Sequence, residues 1–268
     1  ILVAGVVNAM PNATSIALAP QTRTGRRMNE YLRVSRSATY GFLSAIPLFL
    51  GYEVLMVLGR SSVQVSAEKW LKDGLSRFGV VGHLALGLGV LLVGVLIMIA
   101  ERPKEVPIKP GYLGGIVGES LLWTPFFAVA TGWLVHKAMP QAALWPLAAT
   151  LTQQNRLTRV GLALGAGVYE ELLFRVLLVG GMCWLGSQAF PKHRTAVRVT
   201  TACVGAFVFS LIHYIGPLGD PVGFNTTFIY SFLFRYIAGL LLNTLYLVRG
   251  FGVAAWTHAW YDVMVLLH

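Results

Sequence analysis

Six charged or imidazole side chains stand inside apolar runs at helical spacing. The stretch GVYEELLFRVLL, residues 167–178, holds Glu170, Glu171 and Arg175. FSLIH sets Phe209 four residues before His213, and HAWYD sets His258 four residues before Asp262. A charge near the centre of a bilayer costs several kcal/mol, so such residues are functional candidates by default. Residues four apart share a helix face. Glu171 can therefore pair with Arg175, while Glu170, about 100° round the helix, is left to face a cavity. If the three helices converge, each polar group partly satisfies the others. A carboxylate shielded from bulk water can act as general base on a water, and a neighbouring histidine can share that water. A second histidine with a carboxylate can stabilise an oxyanion or hold a metal. Hydrolysis of a peptide bond within a membrane is the chemistry that uses this whole set. Taken singly, each motif also fits an ion pair or a satisfied histidine near a helix end. A second carboxylate fits that reading poorly, because one arginine cannot neutralise both.

Positioning such a set requires helices that cross lipid. The 268-residue chain is 56% hydrophobic and 12% charged, about half the charged fraction of soluble domains. Its mean hydropathy is +0.66. The fold class read from this is all-α, a polytopic integral membrane bundle of about seven helices, within six to eight. The spans fall at 39–58, 78–100, 112–135, 158–186, 195–215, 226–248 and 250–267. Residues 61–77 read as an amphipathic connection, and 141–154 as a segment too short to span that lies in the interface. Residues 1–37 form a basic N-terminal tail and 38–268 a single membrane domain.

The net charge is +10, yet the Lys and Arg fall between apolar runs and no basic-aromatic patch stands out. Nucleic acid is therefore excluded as a partner and membrane lipid expected, with anionic headgroups meeting the basic loops. The larger share of basic residues lies on the side of the N-terminus, which places that side inside. Residues 1–29 lack Asp and Glu and resemble the tail of a transit peptide, which raises an organelle inner membrane as the location. Cys183 and Cys203 lie in apolar segments and form no disulfide framework. Glycosylation sequons occur at Asn12 and Asn225, a pattern that chance often produces.

EELLFR fits EExxxR, FSLIH fits FxxxH and HAWYD fits Hxxx(N/D). In this order on successive late helices, over 158–267, they resemble the CPBP family, which contains the CAAX prenyl endopeptidases and the bacteriocin-processing or immunity (Abi) proteins. The resemblance implies a glutamate-dependent intramembrane endopeptidase acting on a membrane-bound or lipidated, for example prenylated, peptide. It implies Glu170 as the water-activating base with His213 assisting, and Glu171 as the second carboxylate oriented by Arg175. His258 and Asp262 would line the site and stabilise the oxyanion, and Phe209 would pack. Many members carry Asn where this chain has Asp262, and an ionised Asp cannot donate to an oxyanion. Asp262 must then be protonated, orient His258, or join Glu170, His213 and His258 around a divalent metal such as zinc.

Two other functions compete: a catalytically silent scaffold or accessory subunit of a larger membrane complex, and a proton-coupled transporter, disfavoured by the lack of broken-helix repeats. Glu53 and Glu119 are expected to pair with Arg235, and the run GLALGAG, 161–167, to permit close helix packing. One geometric tension is evident. Glu170 lies about 18 Å into its span while His213 is near the end of its own, so the fourth helix should begin late or the fifth continue past Tyr214.

Overall fold

The structure, a computed structural model, describes residues 23–60, 63–77, 83–101, 106–140, 154–215, 220, 222–223 and 225–267. Most of the N-terminal tail, Asn12, and the 141–154 segment apart from its last residue lie outside them. The described chain is helical, with no strand among these residues. Helix α1 is Arg23–Val34, α2 Ala38–Leu58, α3 Ser66–Ser76, α4 His83–Glu101 and α5 Pro110–Ala138. A single run then covers 156–189, as α6 (Arg156–Gly165), a π-helical stretch π1 (Ala166–Gly180) and α7 (Gly181–Ala189). Helices α8 (Arg194–Ile212), α9 (Thr226–Arg249) and α10 (Phe251–Leu267) complete the bundle. Among the described residues four segments are long and apolar enough to cross a bilayer: Ala38–Leu58, Pro110–Ala138, Pro191–Ile212 and Thr226–Arg249.

Sequence-local signals set the helix ends. Ser37, Asn155 and Asn225 accept hydrogen bonds from the backbone N–H three residues on, satisfying orphan donors of α2, α6 and α9. Asn225, half of a sequon, is thus a helix cap. Gly250, at φ +86°, turns α9 directly into α10, a conformation that glycine adopts without steric cost.

Helix directions alternate as the expected spans do. The α2 N-terminus is capped from α4: Ala38 and Thr39 donate their backbone N–H to Glu101 at 3.2 and 2.7 Å. Trp256 donates to the Ser44 carbonyl at 2.7 Å, which sets α10 alongside α2 in the same direction. The glycines of GLALGAG run α6 antiparallel to α2 at close range. A Cβ on Gly165 would stand 2.7 Å from the Tyr52 ring, and one on Gly161 would meet Met56 at 3.0 Å. The expected small-residue packing is therefore present. Trp256 is core and Trp123 packs against the same cluster. Cys183 and Cys203 are free.

Two polar nodes hold the periphery. Amphipathic α3 docks through buried Glu68, which accepts from Tyr52 and Lys72. Arg249, at the end of α9, donates to both Glu119 carboxylate oxygens at 2.5 and 2.7 Å and to Ser35 at 2.9 Å. Tyr31 of α1 donates to the same carboxylate at 2.6 Å. Burial and that carboxylate push the Tyr31 phenol above its ordinary value. The expected pairing of Glu119 with Arg235 is corrected here: Glu119 is taken by Arg249. Glu53 lies beside Tyr169 instead.

Candidate active site

The site is built on π1. Wider turns of this kind are rare and gather at functional positions. Glu171 and Arg175 are both completely buried, and Arg175 Nη1 stands 3.0 Å from Glu171 Oε1 as an ion pair. The guanidinium lies 4.4 Å from the centre of the Phe209 ring on α8, a cation–π contact that accommodates a cation with few oxygen partners. Phe209 is thus more than filler: it covers the charge that fixes Glu171.

Helix α10 brings its histidine to the same carboxylate. His258 Nδ1 donates to Glu171 Oε1 at 2.7 Å. Its Nε2 is 3.5 Å from Asp262 Oδ2, within ion-pair range and beyond a good hydrogen bond. One residue makes this approach feasible. A Cβ on Gly167 would come within 2.6 Å of the Ala255 carbonyl oxygen and 2.7 Å of Ala259 Cβ. Only a glycine lets the two backbones close to that distance. The His258 side chain, directed back toward the N-terminus of α10 as helical side chains are, then reaches Glu171.

His213 is the first residue past α8. Its Nδ1 donates to the Phe209 carbonyl at 2.6 Å, which leaves Nε2 as the ring atom free to accept a proton or bind water. The depth tension resolves differently from either expectation. The fourth helix begins early, at Arg156, and the fifth stops at Ile212. The Phe174 and Phe209 rings meet edge to face at 5.1 Å, on antiparallel helices. One turn back from Phe174 is Glu170 and one turn on from Phe209 is His213, so both groups stand at one level. Glu170 is half-buried and, among the described residues, its carboxylate accepts no hydrogen bond. The six site residues thus divide: Glu171, Arg175, His258 and Asp262 form a linked set, while Glu170 and His213 carry the free atoms.

The metal reading does not fit this arrangement. Among the described residues no three His, Cys, Asp or Glu side chains stand close enough together to hold an ion. His258 has a carboxylate at each ring nitrogen, and Glu171 Oε1 is already shared by a cation and an imidazole. Glu171 Oε2 is buried without a hydrogen-bond partner, yet no second donor stands beside it to complete a metal set among the described residues.

Residues outside the three motifs also frame the site. Arg235 of α9 donates to Asp220 Oδ2 at 2.6 Å, Ser231 Oγ at 2.7 Å and the Tyr214 hydroxyl at 3.1 Å. Its partner is therefore Asp220, not the Glu53 and Glu119 expected from sequence. The i, i+4 spacing of Ser231 and Arg235 was the only local signal for this cluster.

Residues 152–264 match the family model described as type II CAAX prenyl endopeptidase Rce1-like. This stretch is similar to the Rce1-like family. It contains all six site residues and nearly coincides with the region carrying the CPBP motifs. The match is one of similarity to the type II CAAX prenyl endopeptidases over less than half of the chain. Neither curated proteins nor solved structures yield a match.

Proposed function

We propose that the chain hydrolyses a peptide bond of a membrane-associated peptide, with Glu170 as the base that activates water. The observation that carries this is the division of labour between adjacent carboxylates. Glu171 is completely buried and occupied by Arg175 and His258, whereas Glu170 is half-buried with a free carboxylate. Only the second is exposed enough to meet a water. His213 Nε2, at the same level, holds that water on its other side. The water attacks the scissile carbonyl carbon, Glu170 takes its proton, and the carbonyl oxygen becomes an oxyanion. His258, held between Glu171 and Asp262, stabilises this oxygen, its Nε2 being free to turn from the long Asp262 contact toward it. Asp262 acts here by orienting His258. Glu170 returns the proton to the leaving amine as the bond breaks.

The substrate class is a peptide delivered from the bilayer, lipidated or transmembrane, because the reacting groups sit within apolar helices that water-soluble chains do not reach. The test is cleavage of a library of prenylated and transmembrane peptides by purified protein, read by mass spectrometry. Wild type should release products and Glu170→Ala none. Equal product from the two proteins would remove Glu170 from the mechanism, and none from either would remove the protease reading.

A further inference from the structure

His213 is the reactive side chain that lies outside a helix. Helix α8 stops at Ile212, only a short turn follows it, and the His213 side chain makes one hydrogen bond, to Phe209. Its backbone is held from the far side. Asp220 donates its N–H to the His213 carbonyl at 2.8 Å. The Asp220 carboxylate and the Tyr214 hydroxyl are both bound by the Arg235 guanidinium. The Tyr214 ring packs on Phe228 at 4.8 Å and lies 5.3 Å from that guanidinium. One arginine on α9 therefore grips the residue after His213 and the residue bonded to it. The Arg235 side chain is 11% exposed. A surface pair of this kind would be worth little. A partly buried fork with three oxygen acceptors is a geometric device.

We propose that Arg235 is a positioning residue for His213: through Asp220 and Tyr214 it fixes the backbone that aims the imidazole at the water held by Glu170. None of the three motifs includes it. The proposal takes the protease reading for its kinetic arm, and a second arm is independent of activity.

The experiment compares wild type with Arg235→Gln, Arg235→Lys and Asp220→Asn in detergent. Steady-state kinetics on a cleaved peptide would show Arg235→Gln losing about tenfold or more in kcat, the scale of a small misplacement, with KM within about twofold. Arg235→Lys, keeping the charge but not the fork, should fall between. The second arm is the rate of diethyl pyrocarbonate labelling of His213, resolved by mass spectrometry. Labelling should speed up about fivefold in Arg235→Gln as the local structure opens. If Arg235→Gln matches wild type in kcat and labelling, the proposal is overturned. A lowered Tm with kcat and KM both altered and His213 labelling unchanged would make Arg235 a structural residue and overturn it too. If Arg235→Gln does not fold, Asp220→Asn must show the same pattern at smaller amplitude. A wild type that cleaves nothing would end the protease reading, while the labelling arm would still decide the positioning of His213.

Discussion

His258 donates to Glu171 across the interface of α10 and π1, joining two motifs that lie 87 residues apart in the chain. With Arg175 on the other side of the same oxygen, Glu171 is committed to holding the site together. The neighbouring Glu170 is thereby released for chemistry.

The two glutamates should separate cleanly on substitution. Glu170→Gln should abolish cleavage with little change in Tm. Glu171→Ala should lower stability by about 3–5 kcal/mol, because it leaves Arg175 buried without its counter-charge. Thermal unfolding in detergent beside the cleavage assay checks both. A Glu171→Ala protein as stable as wild type would refute the assignment of Glu171 as the structural carboxylate.

Gly167 carries no reactive atom, yet Gly167→Ala should inactivate. Its new Cβ would collide with the Ala255 carbonyl oxygen and force α10 away from π1. Overpacking of this kind costs about 1–3 kcal/mol. Activity should fall much further than stability, since His258 leaves Glu171. Retention of full activity would show that the approach of the two helices is not what brings His258 into place.

Asp262 is argued to orient His258 through a long 3.5 Å contact. Asp262→Asn keeps a polar oxygen beside the imidazole and should retain kcat within about tenfold, whereas Asp262→Ala should lose about 100-fold or more. Equal losses in the two variants would point to the charge of Asp262 and away from orientation.

The Arg249–Glu119 pair offers a test remote from the chemistry. Both residues are largely buried, and each leaves an unpaired charge when its partner goes. Arg249→Met and Glu119→Leu should each destabilise by about 3–5 kcal/mol, and the double variant by less than their sum. Additive Tm losses would mean the pair is not coupled.

Much of this protein is legible from its sequence because lipid constrains helices so tightly. Every backbone group must be satisfied within its own segment, so apolar length and charged breaks locate spans to within a few residues. The same cost makes Glu170, Glu171, Arg175, His213, His258 and Asp262 conspicuous. Turn periodicity then pairs Glu171 with Arg175 and His258 with Asp262, since both are local relations along one helix.

What the sequence could not decide is which partners meet across helices. Glu119 could equally have faced Arg235 or Arg249; helix packing chose Arg249. The level of His213 against Glu170 depended on the meeting of Phe174 and Phe209, and the reach of His258 on the bare backbone at Gly167. That both nitrogens of His258 face carboxylates is likewise a fact of three-dimensional placement. Residue type and spacing determined which groups are present on each helix. The azimuth and depth at which those helices pack, set by side-chain volume where they touch, decided which of the groups became scaffold and which remained free to react.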